Sequence, residues 1–321
     1  MRNQKVVFFL SLIFFFCLSS HSNAQTPEYS GSPTRLDTAS SFIFVGDVQL
    51  RGTPEIIIGR EDNRNADRAV LKKIAEENPS FVLVLGDFTF HGSSVNSWND
   101  FDDMAMPIHD KGIPIFPLPG NHEYFGNPKE GFHQYFSRFP QTNHRLWYLK
   151  KWKDIGIITL NANFNHLSKD QLTKQNEWYH LEMDSLQRDS SIAMIIVCCH
   201  QPPYTNSTVV SDDKEVQKYF VPAFMSASKA KLFFTGHCHS YEHFKIGGKE
   251  FIVSGGAGPR QMLESPPKDS PKKDLFHGGA ERKHHFCKLI RTRDGIHVQM
   301  TQIDENLKRW SIGEEIVVNA K

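Results

Sequence analysis

The sequence predicts an α/β fold, organised as one large domain over residues 41–321. Three observations indicate it. Short, continuously apolar runs are typical of strands that are buried on both faces, amphipathic helical patterns separate several of them, and a polar cluster stands directly after each of five runs. Because a parallel sheet gathers its strand ends at one edge, where ligands bind, we expect the five clusters to form one site.

The first strand–helix–strand unit lies at the start of this domain. Residues 42–45 and 81–85 are short apolar runs that each end in Gly-Asp. Between them, residues 66–78 place their apolar side chains along one helical face, and the helix is expected to stop at Asn78-Pro79. This order is the crossover unit of a parallel sheet.

The same pattern predicts the later elements. They are a helix at 98–109, strands at 113–118 and 155–160, a helix at 172–186, and strands at 192–199, 231–235 and 251–253. A Pro- and Lys-rich loop follows at about 259–280. The segment 287–303 then has the pattern of a hairpin that turns at Asp294-Gly295.

The N-terminus is typical of a secretory signal peptide. Arg2 and Lys5 precede an apolar stretch at 6–18, and small residues lead to a cleavage site after Ala24. The apolar stretch is shorter than the roughly 20 residues of a spanning helix, so we expect no stable membrane anchor. The mature protein is predicted to be secreted or periplasmic, with a poorly ordered, Ser-, Thr- and Pro-rich lead-in at 25–40.

Charge and cysteine content narrow the function classes. Removal of residues 1–24 takes away two basic residues and no acid, which leaves 35 basic against 36 acidic residues. This near-neutral balance gives no electrostatic footprint for nucleic acid. Of the four remaining cysteines, Cys198 and Cys199 are neighbours on a predicted buried strand. We interpret the cysteines as small core residues, with no disulfide framework indicated.

The five polar clusters supply the candidate site. They are Gly46-Asp47-Val48-Gln49, Gly86-Asp87, Gly120-Asn121-His122-Glu123, His200 and Gly236-His237-Cys238-His239. Carboxylate and amide oxygens together with imidazoles suit a pair of divalent or trivalent first-row metal ions better than a structural zinc. Asp, Asn and Gly are also ordinary turn residues. That alternative does not explain three histidines, each placed where a strand ends.

The series of clusters resembles the calcineurin-like metallophosphoesterase superfamily, which includes purple acid phosphatases and many secreted phosphoesterases. Its motifs are Gly-Asp-x-His, Gly-Asp, Gly-Asn-His-Glu/Asp, an isolated His, and Gly-His-x-His, and all five blocks occur here in order over roughly 41–303. The resemblance implies a four-layer αββα fold, in which helices flank a central β sandwich and the metal ions lie at one rim.

The resemblance also implies metal ligands and catalytic residues. The ligands implied for one ion are Asp47, Gln49, Asp87 and His239, and those implied for the other are Asp87, Asn121, His200 and His237. Two ions about 3.5–4 Å apart need a shared carboxylate and a shared hydroxide between them, and coordination lowers the pKa of bound water toward 7. We therefore expect a metal-bridging hydroxide to attack phosphorus, with His122 as general acid and Glu123 keeping it protonated.

Two positions depart from the family pattern. Gln49 stands where most relatives have His, and an amide oxygen is a harder and weaker donor than imidazole. The ion at this position is therefore expected to bind less tightly, or to be Mn²⁺, Mg²⁺ or iron rather than zinc. Alternatively, Gln49 forms a hydrogen bond to a metal-bound water and does not ligate the ion. Phe90 stands where purple acid phosphatases have the Tyr that colours their iron, so no phenolate ligand is expected.

The sequence favours a secreted dinuclear-metal hydrolase of small phosphate esters, with a phosphomonoesterase as the leading hypothesis and the metals, Mn, Fe or Zn, not distinguished. A nucleotide pyrophosphatase or phosphodiesterase stays open, because some such superfamily members also have Gln in the first motif. A non-catalytic binding module on the same scaffold stays open too.

Arg51, His91 and Arg260 are candidates for phosphate contacts, with surface roles as the alternative, and His284 is interpreted as structural.

Overall fold

The computed structural model describes residues 26–35, 38–260, 272–279 and 282–320. The predicted signal peptide lies outside the described residues. In chain order the elements are β1 Ser41–Val45, α1 Thr53–Ile57, α2 Arg64–Glu77, β2 Val82–Val84, α3 Val95–Asp110, β3 Ile115–Pro117, α4 Pro128–Arg138, β4 Tyr148–Trp152, β5 Ile155–Thr159, α5 Lys169–Arg188, β6 Met194–Cys198, α6 Lys214–Tyr219, α7 Val221–Ser226, β7 Ala230–Thr235, β8 Tyr241–Ile246, β9 Lys249–Ser254, β10 His285–Arg291, β11 Gly295–Ile303 and β12 Trp310–Asn319.

Two mixed six-stranded sheets form the centre of the domain. Their strand orders are β12-β11-β10-β1-β2-β3 and β4-β5-β6-β7-β9-β8. The strands β1, β2 and β3 run parallel, as do β5, β6, β7 and β9, whereas β10, β11 and β12 form an antiparallel extension. The parallel strands that carry the polar clusters therefore lie in two different sheets.

Successive side chains of a strand point to opposite faces of the sheet and so contact different layers. In β1, Phe42 and Phe44 point into the core between the sheets, where the ring of Phe44 lies 4.8 Å from that of Phe234 on β7. Ile43 and Val45 point the other way and pack with α2 and α3. The helices α5 and α7 cover the outer face of the second sheet in the same manner. The result is the four-layer αββα sandwich that the resemblance implies.

Local sequence signals explain where the helices begin and end. The helix α2 ends at Asn78, which adopts a left-handed conformation (φ 48°) immediately before Pro79, as predicted. The helix α5 begins after Ser168, whose hydroxyl accepts from the backbone N–H of Gln171 while the Gln171 side chain accepts from the N–H of Ser168. The predicted hairpin is confirmed as β10 and β11, which turn at the predicted residues.

The lead-in differs from its prediction. Tyr29 is only 1% exposed, and its hydroxyl donates to Asp102 on α3 over 3.1 Å. Its backbone N–H donates to Arg138 O, and its carbonyl accepts from the N–H of Ile115. One aromatic anchor and two backbone bonds hold this part of the 25–40 segment against the domain. These contacts produce no periodic pattern in the sequence, so the sequence alone predicts a poorly ordered segment.

Two further predictions concern the cysteines and the membrane. Cys198, Cys199, Cys238 and Cys287 are buried and form no disulfide among the described residues. As expected from strand alternation, Cys198 faces the core between the sheets and Cys199 faces the helices. Within the described ranges, no helix has the length and apolar character needed to cross a membrane.

Candidate metal centre

The candidate site lies at the rim where the downstream ends of strands from both sheets meet. Asp47 and Asp87 follow β1 and β2, and His200 and His237 follow β6 and β7. Residues 190 positions apart in the chain are in contact, since the backbone N–H of His237 donates to the Asp47 carboxylate over 3.0 Å. All seven predicted ligands and His122 are connected by such contacts around this rim.

The backbone at the rim is strained. Asp47, Asp87 and His237 each directly follow a glycine and adopt left-handed φ angles of 61°, 55° and 67°, which are uncommon for residues other than glycine. A Cβ atom at Gly120 would lie 2.1 Å from Asp87 Oδ1, so only glycine lets the third cluster approach the second. These strained conformations and the close approach at Gly120 bring the side chains together at the rim.

One group of donor atoms surrounds His200 Nε2. Asp87 Oδ2 and Asn121 Oδ1 each lie 3.1 Å from it, and His237 Nδ1 lies 3.2 Å from it. Because His200 Nδ1 donates to the carbonyl of Leu85 over 2.7 Å, Nε2 of the neutral ring presents a lone pair. Lone pairs from oxygen and nitrogen thus converge. Ligands about 2.1 Å from one ion and at right angles to each other lie about 3 Å apart, so the spacing fits a metal.

A second group shares Asp87 with the first. Ligand atoms of Asp47, Asp87 and His239 lie within 4.8 Å of one another. His239 Nδ1 donates to the carbonyl of Pro259 over 2.8 Å, which leaves Nε2 directed at the site, 3.6 Å from Asp47 Oδ1. The shared carboxylate is the arrangement that two neighbouring cations require.

Gln49 is buried beside this second group. Its Oε1 has no hydrogen-bond partner among the described residues, and its Nε2 lies 3.4 Å from His122 Nε2. Asn63 holds the backbone in place, since its amide donates to Gln49 O over 2.8 Å and to Ala257 O over 3.1 Å. A buried acceptor without a protein partner needs another donor or an ion, and a metal ion or its water meets that need.

Electrostatics favour the ligand forms of two histidines. Burial, with the neighbouring His200, lowers the pKa of His237 to about 3, and burial lowers the pKa of His239 to about 4, so both are neutral at pH 7. Burial also lowers the pKa of His200, but the Asp87 and Asp47 carboxylates outweigh it and raise the pKa to about 9. A proton on His200 would therefore be replaced by a metal ion, because ligating imidazoles must be neutral.

The two central carboxyl groups shift in opposite directions. Burial and the neighbouring Asp87 raise the pKa of Asp47. Burial also opposes ionisation of Asp87, but His200 and His122 outweigh it and hold its pKa well below the ordinary value. Two carboxylates this close repel each other unless positive charge lies between them.

His122 lies at the accessible side of the site. Its Nδ1 donates to the carbonyl of Phe90 over 2.7 Å, so Nε2 faces the centre, 3.9 Å from Asp87 Oδ2. Its side chain is 14% exposed, whereas that of His200 is fully buried. The imidazole can therefore exchange a proton with a bound molecule.

Glu123 differs from its predicted role beside His122. Its carboxylate accepts from the backbone N–H groups of Asp87, Phe88 and Gly120 over 3.0, 2.8 and 2.7 Å. The partner of His122 Nδ1 is the Phe90 carbonyl instead. The two side chains diverge because residues 122–124 form a short 3₁₀-helix. Glu123 ties together the loops that carry Asp87 and Asn121, and burial together with Asp87 raises its pKa to about 7.

The remaining sequence candidates are engaged elsewhere. Arg51 donates to Arg60 O and to Asp62. Arg260 and His284 both contact Glu61, a residue that the sequence patterns did not single out. Cys238, between His237 and His239, points away from the centre, with its sulfur 3.3 Å from Thr205 Oγ1.

Comparisons with known proteins agree with this geometry. The model of the calcineurin-like phosphoesterase family matches residues 40–241. Among curated proteins, purple acid phosphatase 18 of Arabidopsis thaliana is 24% identical over 211 residues, which is 60% of this chain and 47% of the relative. Purple acid phosphatase 1 of Ipomoea batatas is 25% identical over 174 residues, 50% of this chain and 36% of the relative. The chain thus spans about half the length of these relatives or less.

Solved structures share the fold at low identity. GAP50, the anchor in the inner membrane complex of Plasmodium, has a TM-score of 0.70 at 16% identity, covering 88% of this chain and 89% of its own. Purple acid phosphatase PPD1 from yellow lupin has a TM-score of 0.61 at 16% identity, covering 82% of this chain and 51% of its own. A dimetal phosphatase from Danio rerio has a TM-score of 0.58 at 14% identity, covering 88% and 99%. Because the family model matches well over half of its length, the chain belongs to the calcineurin-like phosphoesterase family.

Proposed function

We propose that this protein is a metal-dependent hydrolase of phosphate esters that uses two metal ions. The convergence of Asp87, Asn121 and His237 on His200 Nε2 carries the proposal, because lone pairs at 3.1–3.2 Å repel one another unless a cation or a proton lies among them. The family and the purple acid phosphatase relatives support the same chemistry.

The seven predicted ligands are proposed to hold the ions. Asp87 is the shared ligand, with Asn121, His200 and His237 on one side and Asp47, His239 and Gln49 on the other. Bound metal ions supply a Lewis acid for the phosphoryl oxygens and a water molecule of lowered pKa. With oxygen donors from Asp47, Asp87 and Gln49, the metal position that includes Gln49 favours manganese or iron over zinc.

His122 is proposed to donate the proton that the leaving oxygen acquires. The bond from Nδ1 to Phe90 O fixes the ring, so only Nε2 can transfer a proton within the site. Asp87 Oδ2 lies 3.9 Å from this Nε2, so the proton donor stands beside the proposed shared metal ligand. Glu123 contributes indirectly, because it positions the backbone of Asp87 and Gly120.

Two further points concern the location of the protein and the competing function. The predicted signal peptide supports export of the protein. A non-catalytic module remains the competing function, and the complete donor set argues against it, because a binding module has no need of six further ligands around one shared carboxylate.

Removal and return of metal test the proposed function. The purified protein is stripped with a chelator, reloaded separately with Mn²⁺, Fe²⁺ and Zn²⁺, and assayed on an aryl phosphate, a bis-aryl phosphate and ADP-ribose. We expect hydrolysis of the monoester that is lost on stripping and regained with at least one metal. A folded, metal-loaded protein that turns over none of the three substrates would support the non-catalytic module.

A further inference from the structure

The surroundings of His122 indicate what kind of leaving group the site accepts. If His122 protonates the leaving oxygen, the rest of the leaving group must lie next to its imidazole. Two phenyl groups pack against this imidazole. The ring of Phe90 lies 5.2 Å from the imidazole and that of Phe125 lies 4.4 Å from it, between centroids.

Phe125 is exposed and Phe90 is half-buried. Phe125 is 40% exposed, which is unusual for a phenyl group that packs on a site residue. The ring of Phe90 packs against Gly52. A Cβ atom at position 52 would come within 2.2 Å of the ring, so the loop after β1 accommodates the ring because residue 52 is glycine. The two rings form an apolar wall beside the one imidazole that can donate a proton.

The apolar surface continues away from His122. Phe90 also lines a cavity of 540 Å³, whose apolar lining includes Leu50, Ile56 and Met104 and whose polar lining includes Arg51, Arg64 and His91. Ile56 is 53% exposed at this cavity. On the other side of the centre, Val209 is 50% exposed in a surface cleft that also contains His237. Exposed aliphatic and aromatic side chains therefore border the site on more than one side.

The cations near this cavity already have partners. Arg51 donates to Asp62 and to a carbonyl, and Arg64 forms an ion pair with Asp100 at 2.7 Å. A leaving group that carried a further phosphate, as in a nucleoside diphosphate, would place anionic oxygens against two phenyl rings. Burying such charge without a partner is costly, so the wall disfavours pyrophosphate substrates.

We infer that the substrate is a phosphate ester of a bulky apolar alcohol, whose leaving group is held against Phe90 and Phe125. This inference rests on the proposed function and narrows it to one substrate class. Aromatic and long-chain aliphatic alcohols share the required chemistry. Phe125 is a specificity-determining residue in this account, and it acts on binding of the leaving group rather than on the metals.

Binding of two phosphonates tests the inference without involving the leaving-group chemistry. Calorimetry on metal-loaded protein gives the Kd of phenylphosphonate and of methylphosphonate for the wild type and for Phe125→Ala, Phe125→Trp and Leu181→Ala. Leu181 is a matched control, since it is 69% exposed on α5. We expect the wild type to prefer phenylphosphonate, Phe125→Ala to reduce the preference about fivefold to tenfold, and Phe125→Trp and the control to retain it.

Hydrolysis assays separate the two sources of an apolar alcohol. Phenyl phosphate and methyl phosphate in solution are compared with a long-chain alkyl phosphate in vesicles of neutral phospholipid. A lower KM for either apolar ester than for methyl phosphate, which rises in Phe125→Ala, supports the inference and identifies the source. Hydrolysis with an unchanged phenyl-to-methyl ratio in Phe125→Ala overturns the inference alone. Failure of every ester and both phosphonates overturns the proposed function with it.

Discussion

Asp87 Oδ2 lies 3.1 Å from His200 Nε2, although Asp87 follows a strand of one sheet and His200 a strand of the other. His200 Nδ1 is also bonded to Leu85 O, two residues before Asp87. The contact therefore joins the two sheets at the point where both candidate metal positions meet. Any change to this pair is expected to affect metal binding before it affects the fold, because the core between the sheets lies behind it.

Loss of His122 should separate chemistry from metal binding. We expect His122→Ala to lower kcat by about 10² to 10⁴, because the leaving oxygen loses its proton donor. The metal content should stay close to that of the wild type, since His122 belongs to neither group of ligand atoms. His133→Ala, at an exposed position on α4, is the control. Parallel loss of metal and kcat would instead make His122 a ligand.

Loss of Glu123 should weaken the fold at the rim. In Glu123→Ala three buried backbone N–H groups lose their acceptor, so we expect the free energy of unfolding to fall by about 3 kcal/mol or more. Chemical denaturation measures the change, with the exposed Glu130→Ala on α4 as the matched control. A stability equal to that of the control, combined with an altered pH profile of kcat, would restore the predicted role of Glu123 beside His122.

Replacement of Gln49 should change the metal preference. Gln49→His supplies the imidazole of the family pattern in place of an amide, and imidazole is the better donor for zinc. We expect the Kd for Zn²⁺ to fall relative to the Kd for Mn²⁺, measured by competition with a chelating indicator. An unchanged ratio of the two constants would mean that Gln49 does not ligate and instead bonds a water or His122.

The ion pairs of His243 should make stability depend on pH. His243 on β8 lies between Glu250 and Glu314, 3.0 Å from each. Burial lowers its pKa, but the two carboxylates outweigh burial and raise the pKa from 6.5 to about 9. The stabilisation is therefore complete below pH 6.5 and is lost as the pH rises through about 9.

Urea denaturation between pH 6.5 and 9.5 measures this dependence. We expect the free energy of unfolding of the wild type to fall by up to about 3 kcal/mol more than that of His243→Gln across this range. Curves that run parallel for the two proteins would show that the paired histidine does not set the slope.

The sequence predicts which residues meet at the rim because the determinants of their positions are local. Each cluster stands at the end of an apolar run, and glycine before Asp47, Asp87 and His237 permits the turn that directs the side chain to the rim. Strands that carry charged side chains or are largely exposed are not predicted from the sequence. Strand β4 carries Lys150 and Lys151, and the outer strand β12 is largely exposed. Neither has the continuous apolar run of a strand buried on both faces.

Side-chain partners were harder to predict than positions. Glu123 follows His122 directly, but adjacency does not fix direction within a 3₁₀-helix, and the carboxylate turns toward three backbone N–H groups. The anchoring of Tyr29 to Asp102 depends on contacts 73 residues apart, which no local pattern records. Long-range polar contacts of this kind need the folded structure.

Metal stoichiometry tests the central claim most directly. Elemental analysis of the purified protein is compared for the wild type, Asp87→Asn and the exposed control Asp103→Asn. Because Asp87 belongs to both groups of ligand atoms, we expect two ions per chain in the wild type and the control, and fewer than one in Asp87→Asn. A full complement of metal in Asp87→Asn would contradict a centre built around one shared carboxylate.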